Sequence, residues 1–183
     1  MNSSNCSYIY IIGIYSKTYN KIAMKKLLIP LLALALILSG CKTSSSATRD
    51  AQFEQMTALI EGGTFDYTVR SANPTGGKTV QITSSYTLEA KDGIFKAYLP
   101  YFGTAHIASY GGNGGVEFEG EPTDLKVDKN ADKRTITISF NIKNKDESYG
   151  CTLVTGGSGY GTLTVTSSNR STISYYGMVG ESQ

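Results

Sequence analysis

Apolar and polar residues alternate with a period of two over most of the chain after Thr64. Phe65, Tyr67 and Val69 share one parity, and Phe95, Ala97 and Leu99 another set. Val80, Ile82, Tyr86 and Leu88 fall on one face, and Val116 and Phe118 alternate with glutamates. Ile136, Ile138, Phe140 and Ile142 alternate with Thr135, Thr137, Ser139 and Asn141. Leu163 and Val165 sit between threonines, and Ile173 and Tyr175 follow. Such alternation predicts strands with one buried and one wet face. Turn residues punctuate them: Lys91-Asp92-Gly93, Asn130-Ala131-Asp132, Asn144-Lys145-Asp146, Gly156–Gly159 and Ser168-Asn169. Asp-Gly suits the positive φ values of a type I′ hairpin turn. The expected fold is mainly β. About eight strands form an antiparallel meander, closed as a barrel or stacked as a sandwich.

One stretch has a helical period. Phe53, Met56, Leu59 and Ile60 make a stripe within Arg49–Glu61. Thr48 or Ser46 is the expected N-cap, Asp50 falls in the first turn, and Gly62-Gly63 stops the helix. This N-terminal amphipathic helix is expected to cover one end or face of the sheet.

The front of the chain has a different pattern. Met24-Lys25-Lys26 precedes the unbroken apolar run Leu27–Leu38, too short to span a bilayer as a stable helix. Leu38-Ser39-Gly40-Cys41 then resembles a bacterial lipobox. Residues 24–40 are therefore expected to be a lipoprotein signal peptide and Cys41 the lipidated first residue of the mature chain. Its partner is then a membrane, expected to be the outer membrane viewed from the periplasm. Two or three acyl chains on one residue give stable anchoring. Met24 is the expected start, so residues 1–23 are expected to lie outside the translated protein. Residues 41–49 are small and polar and read as a tether; residues 50–183 read as one β-rich domain.

Charge changes meaning once this leader is set apart. The chain of 183 residues carries 17 basic and 15 acidic residues, a net of +2. Four lysines and no acid lie within residues 1–40, so the remainder is mildly acidic. That argues against nucleic acid as a partner. Cys151 is the one cysteine of the expected domain, and its parity with Tyr149 and Leu153 places it in the core.

Candidate chemistry is sparse. Asp128-x-Asn130-x-Asp132 opens like a calcium loop, but Lys133 and Ser139 replace its glycine and its bidentate glutamate. Glu117, Glu119 and Glu121 share a strand face and read as solvent-exposed. Gly156–Gly161 lacks the Lys-Ser/Thr ending of a phosphate loop and reads as a flexible hairpin loop. No catalytic residue, metal site or cofactor is assigned.

The segment Tyr98-Leu99-Pro100-Tyr101-Phe102-Gly103 places three aromatics around a ladder-breaking proline. His106, Tyr110 and a run of glycines follow. Tyr98, Tyr101, Phe102, His106 and Tyr110 are the candidate surface for a ligand or partner. Two readings of that segment stand open: it lines a cavity, or it seals the end of the core.

The lipobox, Leu99–Gly103, Val116-x-Phe118 and Asn169–Gly177 together resemble the domain-of-unknown-function 4251 family, small Bacteroides-type lipoproteins. The resemblance covers about Asp50–Val179 and implies a helix-plus-β domain in the cell envelope, with no mechanism attached. The expected function is a non-catalytic module binding a small apolar or aromatic ligand or an envelope peptide. The alternative is an assembly lipoprotein that binds another envelope protein through a sheet edge. A hydrolase using Glu117, Glu119 or His106 is the remote third reading.

Overall fold

The computed structural model describes residues 46–104, 114–144 and 147–182. Cys41, the leader, the first residues of the tether, His106 and Tyr110 lie outside the described residues. Helix α1 spans Ser46–Glu61. Ten strands follow: β1 Phe65–Pro74, β2 Val80–Gln81, β3 Thr87–Lys91, β4 Ile94–Leu99, β5 Val116–Gly120, β6 Thr123–Asn130, β7 Thr135–Asn144, β8 Glu147–Gly156, β9 Tyr160–Ser167 and β10 Ile173–Gly180.

The strands form one antiparallel sheet in the order β5-β4-β3-β1-β10-β9-β8-β7-β6, with the short β2 paired to β1. Each half is a simple meander. The halves join where the first long strand pairs with the last, from Asp66↔Gly180 to Pro74↔Ile173. The free edges therefore arise in mid-chain, at β5 and β6. The sheet curls into a half-barrel with no ladder between these two strands, and β5 comes against β7 there. Across this contact, the Asn144 side-chain amide donates to the Glu117 carbonyl at 2.6 Å.

The alternation sets the core. Phe65, Leu88, Phe95, Phe118, Ile138, Phe140, Leu153, Leu163 and Tyr175 all point inward and are buried. Rings from both halves meet inside: Phe95 and Phe140 at 4.6 Å, Phe118 and Tyr149 at 5.7 Å. The Tyr67 hydroxyl is buried at the junction, 2.7 Å from the Tyr175 carbonyl and 3.2 Å from that of Gly161. Burial pushes its pKa up, so it remains a neutral donor. Cys151 is buried too, and desolvation pushes its thiol up to about 12, which makes it a core side chain with little thiolate character.

Several details differ from the sequence expectation. The helix begins at Ser46, inside the expected tether, so Asp50 lies beyond its first turn and pairs instead with Arg134. The Val80–Leu88 segment is two strands, because a bulge at Arg70 shifts the register of β1. Thr123–Asn130, expected to contribute only a turn, is a full strand whose residues are all exposed. The Asp92-Gly93 turn has the positive φ values of its type, 53° and 80°.

α1 buries Phe53, Thr57 and Ile60. The β8–β9 turn lies against its backbone: a Cβ on Gly157 would come within 2.7 Å of the Phe53 nitrogen. The glycines there are a packing requirement of a turn pressed on a helix, which corrects the reading of a flexible loop.

The junction is equally tight. A Cβ on Gly177 would lie 2.2 Å from the Thr68 carbonyl oxygen, whereas one on Gly180 meets nothing within 4 Å. Gly177→Ala is expected to cost about 2–4 kcal/mol, since backbone of the neighbouring strand must move. Gly180→Ala is expected to stay within about 0.5 kcal/mol of wild type. Urea titration of both variants measures this; equal stabilities would contradict the packing described.

Candidate functional site

At the barrel end opposite α1, β4 and β9 finish while β5, β8 and β10 begin. Glu147 opens β8 with the same parity as Tyr149 and Cys151, so its carboxylate points inward. A buried carboxylate needs partners. Arg170, from the β9–β10 connection, meets it with Nε 3.0 Å from Oε1, and both side chains are 9% exposed. Ser167 donates to the same oxygen, and the Tyr149 hydroxyl donates to Oε2 at 2.7 Å. Burial pushes the Glu147 pKa up, but the Ser167 and Tyr149 hydrogen bonds and the Arg170 charge outweigh it, and the net shift is downward.

Arg170 also reaches the opposite half. Its Nη1 donates to the carbonyls of Gly114 and Gly115, at 2.9 and 2.7 Å. Its guanidinium lies 5.3 Å from the Tyr101 ring centroid. The Tyr101 hydroxyl sits 2.9 Å from both the Thr104 and Ser171 carbonyls, and the Tyr175 hydroxyl donates to the Pro100 carbonyl at 2.9 Å. One guanidinium thus ties together the starts of β5 and β8 and the segment after β4.

Outside this cluster lies an aromatic ledge. Tyr98 is 49% exposed and Phe102 45% exposed. Tyr86 stacks on Tyr98 with centroids 5.5 Å apart and planes 26° apart. With Pro100, Gly114 and Gly115 they line a cleft of about 240 Å³. The candidate aromatics therefore divide. Tyr101 braces the sealed end through its hydroxyl and also lines the cleft, while Tyr98 and Phe102 face outward. Tyr86, Glu147, Tyr149 and Arg170 complete the region without having been singled out in the sequence. The one available signal was Glu147, a carboxylate on the inward parity of an otherwise apolar strand, which demands a buried cation.

Glu117 is not on open surface as expected. It stands opposite Tyr98 at this end, half-buried, with one carboxylate oxygen buried and without a hydrogen-bond partner among the described residues. The remaining candidates lie apart from this end or on open surface. Glu119 forms an exposed pair with Lys96 at 3.2 Å. The Asn130 side chain caps its own turn, accepting from the Lys133 amide at 2.9 Å. Among the described residues no cluster of His, Cys, Asp and Glu is arranged to hold a metal ion, and no helix is long and apolar enough to cross a membrane.

A family model described as domain of unknown function (DUF4251) matches residues 47–179. The chain belongs to this family. A crystal structure of a DUF4251 family protein from Bacteroides eggerthii is similar in fold, with a TM-score of 0.55 and 22% identity. The similarity covers 75% of this chain and 92% of that one. No protein of curated function matches the chain. Family membership thus accounts for the helix-plus-β architecture of this DUF4251 domain and brings no activity to its cleft.

The buried pair yields a test. Glu147→Gln leaves Arg170 without its counter-charge and is expected to cost about 3–5 kcal/mol at neutral pH. Because the folded pKa of Glu147 is depressed, its contribution is complete above the ordinary glutamate range and is lost as pH falls through the folded value. The gap in melting temperature between wild type and Glu147→Gln should therefore narrow on acidification below about pH 4. A gap that is constant with pH would contradict the ionised pair.

Proposed function

We propose that this DUF4251 protein is a lipid-anchored, non-catalytic binding module of the cell envelope, held at the outer membrane and facing the periplasm. The leader and Cys41 support the anchoring. The aromatic ledge supports the binding. Tyr86, Tyr98 and Phe102 flank a cleft whose backbone is fixed from beneath by Arg170. Exposed aromatics on a rigid frame give contact area at low entropic cost, which suits a planar apolar ligand or an aromatic or proline-bearing peptide. The observation that carries this reading is the stacked Tyr86–Tyr98 pair beside Phe102. These rings leave much of their surface to solvent, where a purely structural plug would bury it.

Two outcomes are expected. Cys41→Ser abolishes incorporation of labelled fatty acid and moves the protein from the membrane pellet to the soluble fraction; continued pelleting would contradict lipid anchoring. In thermal-shift and native mass-spectrometry screens of planar aromatic compounds and proline-aromatic peptides, the wild-type domain gains stability with at least one class. Tyr98→Ala and Phe102→Ala should each weaken that binding about 3–10-fold, with Phe102→Ala changing intrinsic stability by less than about 0.5 kcal/mol and Tyr98→Ala by about 0.5–1.5 kcal/mol through loss of the Tyr86 stack. Binding that is insensitive to both substitutions would place the site elsewhere.

A further inference from the structure

β6 ends the sheet, so one side of its backbone has no ladder partner among the described strands. Its pairing with β7 sets Val127 opposite Ile138 and Lys129 opposite Ile136. Leu125, Val127 and Lys129 therefore have the parity of the core face. Yet Leu125 is 48% and Val127 38% exposed. The apolar row of the interior runs out to the edge and ends there with no strand of the described residues beyond it. The other face of the strand carries Asp124, Lys126, Asp128 and Asn130.

An uncovered edge is a template for another strand. The charges on this one select the strand it fits. A second copy paired antiparallel about a two-fold axis must place facing residues on the same side of the sheet, so the axis passes through a residue. An axis at Lys126 or Asp128 sets that charge against itself. An axis at Leu125 falls in the irregular stretch between Thr123 and Lys126, where Asp124 has a φ of 55°, and draws Pro122 into the ladder. An axis at Val127 satisfies both faces. On the polar face Lys126 meets Asp128 of the partner copy, twice by symmetry, within the regular part of the strand. On the core face Val127 meets Val127, and Leu125 meets the aliphatic stem of Lys129, whose ammonium is held by Glu61 at 2.8 Å.

We propose that two copies of this chain associate through β6, antiparallel and with Val127 on the two-fold axis, to make one continuous sheet. The contact is a single strand pair, so the association is reversible and weak compared with an obligate dimer. It is separate from the aromatic cleft and does not rest on the reading of that cleft.

Cysteine cross-linking of the full chain in membranes of expressing cells tests it. Val127→Cys places two exposed thiols face to face across the axis and should give a disulfide-linked dimer on a non-reducing gel, well above both wild type and Asp128→Cys. Adding Lys126→Glu sets acid against acid in two pairs and should lower the yield about tenfold. Adding Lys126→Glu together with Asp128→Lys reverses both pairs and should restore it. Co-expression of differently tagged Lys126→Cys and Asp128→Cys chains, which face each other in the same register, should also cross-link and gives a second route if Val127→Cys fails to fold. A Val127→Cys yield no higher than wild type, a yield unchanged by Lys126→Glu, or no rescue by the double reversal would each overturn the proposal.

Discussion

The pairing of β1 with β10 is the constraint on which the rest of the domain depends. Neither meander could cover its own apolar face, because a few twisted strands leave one side wet. Joined at β1–β10, the two halves curl toward each other and their rings meet in one interior. The joint requires close backbone approach at Gly177 and satisfies the one polar group that Tyr67 carries into the core. It brings residues about a hundred positions apart into register, a contact whose closure entropy must be met before it stabilises anything. It also decides where the free edges fall. Because the first long strand and the last meet in the middle of the sheet, its terminal strands lie between them in sequence.

The two ends of the half-barrel are closed by different chemistry. At one end α1 lies close against the β8–β9 turn and exchanges ion pairs with the β6–β7 hairpin through Asp50–Arg134 and Glu61–Lys129. These pairs are exposed and add little by themselves; Phe53 and Ile60 hold the helix. At the other end Arg170 and Glu147 are withdrawn from water. A buried pair of this kind is weak evidence for net stability but fixes geometry, since each group must keep its particular partners. Here the fixed geometry is the backbone of Gly114 and Gly115, which line the cleft together with Tyr98, Pro100 and Phe102. A binding surface built on an immobile floor loses less entropy on engagement than one built on a free loop.

Alternation made the strands and their inward faces legible, from Phe65 and Tyr67 through Ile136–Ile142 to Tyr175. Strand partners were less legible. Nothing local in Asp66–Pro74 names β10 as its neighbour, and the barrel-or-sandwich choice hung on that pairing. β6 escaped notice because it is an edge strand rich in Asp, Lys and Asn, residues disfavoured in strands away from a wet edge. The bulge at Arg70 split Val80–Leu88 into two strands, and a bulge in a partner leaves no trace in the segment it divides. In the candidate site, the aromatics stood out by composition. Arg170 did not, since an arginine in a turn looks solvated until the inward carboxylate of Glu147 is found across from it.

Hydrogen exchange under native conditions, read residue by residue, tests the organising role of β1–β10 most directly. If this joint holds the halves together, the amides of Tyr67–Val69 and Tyr175–Gly177 should exchange only with global unfolding, among the slowest in the domain, while β6 exchanges by local opening. Exchange at β1 and β10 that precedes exchange within β7–β8 would show the C-terminal meander standing alone, and would contradict the account.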